Sequence, residues 1–132
     1  MVYLIYGSPC SGKSTYIKEH MQNGEIVCDM DRLYSAISMD EEHKTDLYAQ
    51  EVADELHKAL CDIIRNRKGD WKNAYVVSIA NTREKLDEVK RQVNADKVIF
   101  IDTPYETCME RAKERPFYFQ FLIQEWFEMK DL

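Results

Sequence analysis

Apolar residues gather in four short runs, at residues 2–6, 25–28, 74–79 and 97–101, each rich in Val, Ile, Tyr or Phe. Runs of this length and composition predict β-strands. Between them the apolar period lengthens to three or four residues, which predicts helices. The first helix is expected from about Lys13 to Gln22, stopping at the turn pair Asn23-Gly24. The longest follows Asp40, where Tyr48, Val52, Leu56, Leu60 and Ile63 predict one apolar stripe facing a sheet, with an end near Lys68-Gly69. A further helix fits residues 83–93, with Leu86, Val89 and Val93 inward and Thr82 as its cap.

Strands that alternate with helices predict right-handed crossovers and a mainly parallel sheet, hence an α/β fold. Residues 117–132 carry two periods at once. Tyr118, Leu122 and Trp126 share a helical face, with Ile123 and Met129 beside it, whereas Phe117, Phe119 and Phe121 alternate as in a strand. The length of the run favours a helix. Its aromatics read as core packing, the alternative being a platform for a base or for a protein partner.

Composition narrows the classes. A chain of 132 residues has room for one domain, residues 1–132, with a single core. Its net charge of −6 argues against broad electrostatic binding of duplex nucleic acid. The densest basic cluster, Arg65, Arg67, Lys68 and Lys72, reads as a solvated helix end. Cys10, Cys28, Cys61 and Cys108 form no C-x-x-C pair, and His20, His43 and His57 lack metal-ligand spacing. The expectation is neither a disulfide framework nor a zinc site. No run is long enough to span a membrane, and the first is too short for a signal peptide, so the chain is expected to be cytoplasmic and reduced.

The chemistry is concentrated after the first strand, in Gly7-Ser8-Pro9-Cys10-Ser11-Gly12-Lys13-Ser14, followed by Thr15. This matches the phosphate-binding loop G-x-x-x-x-G-K-[ST], in the strand–loop–helix setting that the motif requires. Glycines let the backbone curl so that its N–H groups and the helix start form a nest for a triphosphate. Lys13 is expected to reach the β- and γ-phosphates and Ser14 to ligate Mg²⁺.

Three further features bear on the reaction. Asp29 and Asp31 follow the second strand, and the carboxyl ends of parallel strands open onto a crevice. One of them could accept the proton of an attacking hydroxyl or hold Mg²⁺ through water, and one could simply cap the next helix. Arg111 and Arg115, spaced i, i+4 before Pro116, are expected on one helix face, either as charges of a closing lid or as surface partners of Glu110 and Glu114. Finally, the third strand ends in Ser78-Ile79-Ala80-Asn81 with no acid to organise an attacking water. Ser78, Asn81 or Asp102 could take that place, and the missing acid favours phosphoryl transfer over hydrolysis.

The loop together with CDMDRLYSAI, VVSIAN and FIDTPYETCMERAKERP, in that order, resembles small AAA-type P-loop kinases of the polynucleotide kinase and zeta-toxin group, of bacterial or phage type. The resemblance implies a three-layer P-loop NTPase fold, with strand order 2-3-1-4 and helices on both faces. It implies that Lys13 and Ser14 keep their loop roles and that Asp31 is the general base. It further implies that Arg111 and Arg115 are lid arginines and that Asn81 matches an asparagine often found after the third strand. Tyr34 stands where that group carries a substrate-binding arginine, with Arg32 close by.

The sequence reading is therefore an ATP- and Mg²⁺-binding phosphotransferase. The residues expected to act are Lys13, Asp31, Arg111 and Arg115, with the nucleotide held by residues 7–15 and the metal by Ser14 and Asp29. The acceptor is a small molecule or a nucleic-acid end. The alternatives are an ATPase working with a nucleic-acid-processing partner and a non-catalytic ATP-binding module. No N-K-x-D run is present, which favours ATP over GTP.

Overall fold

The computed structural model describes residues 1–39 and 46–132. Strands β1 (Val2–Tyr6), β2 (Ile26–Cys28), β3 (Ala74–Ser78) and β4 (Lys97–Phe100) form one parallel sheet in the order β2-β3-β1-β4. Helices α1 (Lys13–His20), α2 (Met30–Ser38), α3 (Leu47–Arg65), α4 (Arg83–Val93), α5 (Tyr105–Ala112) and α6 (Tyr118–Glu128) complete the chain. Each predicted strand is present, shortened by up to one residue at an end.

The central strand explains why its sequence is apolar at nearly every position. Val2 and Leu4 point into a core shared with Cys61 and Ile64 of α3 and Leu86 and Val93 of α4. Ile5 points the other way, toward Ile17 of α1 and Tyr75. A strand covered on both faces has no polar side to show. Burying each such side chain stabilises the fold by about 1.5–3 kcal/mol.

On α4 the prediction holds in detail. Leu86 and Val93 are buried, Val89 packs beside them, and the Thr82 hydroxyl accepts from Lys85 N–H as the cap. On α3 it does not. Tyr48 is 84% and Val52 51% exposed, while the helix turns Ala53, Cys61 and Ile64 inward, with only Leu60 of the predicted stripe packed against the core. Two stripes one residue apart share the same period. The small Ala53 and Cys61 let the helix approach the sheet more closely than Tyr48 and Val52 would. The start predicted after Asp40 and His43 fall on residues 40–45, outside the described residues; α3 begins at Leu47, capped by Asp46, which accepts from Tyr48 and Ala49 N–H.

Residues 118–128 are helical, as the length of the run suggested. Ile123 and Trp126 are buried against the body, whereas Tyr118 and Leu122 stay 38% exposed. The Trp126 indole donates to Ile79 O at 2.8 Å, and its ring stacks on Phe100. The basic cluster is structural rather than merely solvated. Arg67, at positive φ, donates to Ile64 O, Val93 O, Asn94 O and Asp96, tying the end of α3 to the end of α4. Arg65 donates to Arg91 O across the same junction. Among the described residues no helix is long and apolar enough to cross a membrane.

Candidate phosphate-binding site

The register sets the place of the loop. Tyr6 aligns with Ser78 on one side and Phe100 on the other, so the chain leaves β1 at the carboxyl end of the sheet, between its two neighbours. Gly7 N–H donates to Ser78 O and Ile101 N–H to Tyr6 O, which carries the ladder one step past the strands. A Cβ at position 7 would lie 2.8 Å from Ile101 O and 2.9 Å from Ser11 Oγ, so only glycine fits there. The curl comes from Cys10 (φ 62) and Gly12 (φ 101), both left-handed. Glycine adopts that conformation freely, whereas at Cys10 it is a strained choice held by the surrounding loop.

Gly12 caps α1 without a side-chain bond, so the amide groups of Lys13, Ser14 and Thr15 begin the helix with the unpaired donors that an anion uses. Ser8 and Ser11 are buried, and the Ser8 hydroxyl donates to Pro9 O. From the segment after β4 the Thr103 hydroxyl donates to Ser11 O at 2.7 Å, bracing the loop from outside. Sequence reasoning missed Thr103. Its signal was a hydroxyl directly after the strand that flanks the loop strand.

Lys13 is folded into this curl. Its ammonium donates to Ser8 O at 2.7 Å and Gly7 O at 3.0 Å and is only 8% exposed. Burial lowers its pKa to about 8, opposed by the carboxylates of Asp29 and Asp31.

The two acids have separate jobs. Asp29 is buried and caps α2, with Oδ1 accepting from Asp31 N–H at 3.0 Å; burial, and then repulsion from Asp31, raise its pKa. Asp31 stands exposed in the first turn of α2. Tyr34 is buried, and its hydroxyl accepts from Asp46 N–H, so it joins α2 to α3 rather than facing a substrate; Arg32 is exposed.

The arginines part company. Arg111 Nη1 donates to Cys10 O at 3.1 Å, directly over the loop. Arg115 does not continue the same helical face, because α5 ends at Ala112 and tight turns follow. A residue before proline is driven out of the helical region, and Pro116 imposes this on Arg115. Its guanidinium lies 5.8 Å from the centre of the Phe119 ring, yet it still acts on the Cys10 thiol, whose pKa is raised by burial and drawn down by Arg115, Lys13 and Arg111. Ser78 and Asn81 are taken up structurally. Ser78 Oγ accepts from Ala80 N–H, while Asn81 donates to Trp126 O and accepts from Asp131 N–H through its carbonyl. Asp102 is exposed in the loop after β4.

A strand-rooted glycine loop enclosing its own lysine, on a 2-3-1-4 parallel sheet, agrees with a family comparison. The model described as AAA domain matches residues 2–131. This chain belongs to the AAA domain family. No match to a curated protein was found. The AAA domain is thus a P-loop nucleotide-binding domain whose match spans nearly the whole chain, from β1 to the residue that bridges to Thr82. Beside its loop, a groove of about 430 Å³ runs between α4 and α6, touching Pro9 but none of Lys13, Asp29, Asp31 or Arg111.

Proposed function

We propose that this AAA domain is a small kinase that binds ATP and Mg²⁺ and moves the γ-phosphate to a hydroxyl or phosphate acceptor. The observation that carries the reading is the loop that encloses the buried Lys13 ammonium in its own carbonyls, with Arg111 bonded to Cys10 O and Asp29 and Asp31 following β2 at the same carboxyl end of the sheet. Residues 7–15 suit a polyphosphate, since the left-handed Cys10 and Gly12 and the bare start of α1 turn backbone donors toward one point. Ser14 and Asp29 offer a hydroxyl and a carboxylate, hard oxygen donors of the kind Mg²⁺ selects. Bound Mg²⁺ would neutralise charge on the phosphates.

Lys13 would hold the β- and γ-phosphate oxygens, exchanging loop carbonyls for anionic acceptors. Asp31, exposed and near Lys13, would take the proton of the acceptor hydroxyl. Arg111 would offset charge that builds on the transferring group, with Arg115 nearby as a second cation. The occupation of Ser78 and Asn81 in backbone bonds leaves the third strand without a group to order an attacking water, which supports transfer over hydrolysis.

Labelled-ATP transfer to nucleosides, nucleotides, 5′-hydroxyl oligonucleotides and amino sugars tests the reading. Label on one of these acceptors, lost in Asp31→Asn, is the expected result. Steady phosphate release with no labelled acceptor would replace the kinase by an ATPase, and ATP-dependent stabilisation without turnover would replace it by a binding module.

A further inference from the structure

The cysteine and histidine spacings predict no metal site, yet the fold assembles three of these residues. Cys28 ends β2, and His57 and Cys61 lie one turn apart on α3. The packing of Cys61 and Ile64 against the sheet sets the Cys28 and Cys61 sulfurs 4.0 Å apart. The Cys61 sulfur lies 3.7 Å from His57 Nδ1 and 3.9 Å from Nε2, and one ligand atom from each residue falls within 4.8 Å of the others.

Tetrahedral zinc with bonds of about 2.3 Å to sulfur and 2.0–2.1 Å to nitrogen separates its ligand atoms by about 3.5–3.8 Å. The two edges that meet at the Cys61 sulfur, 4.0 and 3.7 Å, are within a few tenths of an ångström of that spacing, and the Cys28–His57 edge, no longer than 4.8 Å, closes by about an ångström at most with a turn of the half-buried imidazole. A disulfide would require the sulfurs to close from 4.0 Å to about 2.05 Å, a far larger movement of a packed strand and helix. Both thiols are buried, whereas the imidazole is half-buried and gives an ion and a fourth, water ligand their way in.

We propose that Cys28, His57 and Cys61 form a zinc-class metal site that clamps α3 to the carboxyl end of β2. Two thiolates and one imidazole are soft to borderline donors, which select Zn²⁺ over Mg²⁺ or Ca²⁺. The role is structural: the clamp sits one residue before Asp29 and fixes the point where β2 turns into α2.

Titration of the reduced, metal-free full chain with Co²⁺, without nucleotide, tests the site. Expected are one ion per chain, a sulfur-to-cobalt charge-transfer band and displacement by Zn²⁺. Cys10→Ser keeps the band, whereas His57→Ala, at a half-exposed position that need not disturb folding, weakens binding by at least about tenfold. Cys61→Ser loses the band. Zn²⁺ alone raises the melting temperature of the wild type and not of His57→Ala. A chain that gives no thiolate band, or one that persists undiminished in His57→Ala, overturns the proposal. So does a Cys28–Cys61 disulfide that forms readily under mild oxidation in a chain that takes up no Co²⁺.

Discussion

The Thr103 hydroxyl donates to the Ser11 carbonyl at 2.7 Å, so the segment after β4 holds the phosphate loop that follows β1. A neutral hydrogen bond of this kind contributes about 1 kcal/mol. Thr103→Val keeps the shape and removes the donor. It is expected to weaken ATP binding by roughly fivefold, read by titration calorimetry, with far-ultraviolet circular dichroism unchanged. Unaltered affinity would show that the loop holds its curl unaided.

Gly7 is a packing constraint as well as a turn. Its missing Cβ is the space occupied by Ile101 O and Ser11 Oγ. Because Ile101 O is backbone on the adjoining strand, it cannot move aside cheaply. Gly7→Ala is expected to cost about 1–3 kcal/mol in urea unfolding and to abolish stabilisation by ATP. Stabilisation by ATP equal to that of the wild type would refute the close-contact account.

Arg111 and Arg115 should separate in kinetics. Arg111 sits on the Cys10 carbonyl at the loop, whereas Arg115 stacks on Phe119 after the helix has ended. Arg111→Ala is expected to lower kcat by on the order of 10³-fold, and Arg115→Ala to lose clearly less. Single-turnover transfer with saturating acceptor measures both. Equal losses would mean that the two guanidiniums act as a pair.

Acid sensitivity should centre on Asp96. Val2 N–H donates to its carboxylate at 2.7 Å, and Arg67 stands 3.2 Å away; the hydrogen bond first, and the arginine after it, hold its pKa below the usual carboxylate value. A carboxyl group whose pKa is lower folded than unfolded stabilises the fold above its unfolded pKa, about 3.9, and loses that contribution as pH falls toward the folded value. Asp96→Asn is therefore expected to melt lower than the wild type at pH 7, with the gap closing toward about pH 3. Melting curves from pH 7 down to that point check it, and a gap independent of pH would assign the effect to shape alone. The carboxylate is solvated enough for salt to shrink the gap.

How far the chain could be read depends on whether a signal was local. The strands and the loop were legible because apolar runs and a glycine motif are written in consecutive residues, whereas the strand order came only with the family resemblance. The inward face of α3 was not, since Val52 and Ala53 begin stripes of the same period and only the depth of packing against the sheet chooses between them. The i, i+4 spacing does not put Arg115 on the helical face of Arg111, because α5 ends at Ala112, three residues before Arg115. The grouping of Cys28, His57 and Cys61 was not legible, because the histidines and cysteines show no metal-ligand spacing along the chain and only the docking of α3 beside β2 brings Cys28 to the other two. Asp29 and Asp31 could be read only as a pair after β2; that Asp29 is the one whose carboxylate caps α2, leaving Asp31 exposed in the first turn, is set by where the helix starts.

The bond from Arg111 to Cys10 O has one more consequence. A guanidinium resting on a neutral carbonyl lacks the opposite charge and the two-pronged geometry that an anion would give it. At the amino end of the sheet, by contrast, Arg67 is committed to five acceptors, one of them the Asp96 carboxylate. The molecule thus keeps its firm currency at the foundation and its loose change at the rim, where an incoming polyphosphate is the higher bidder.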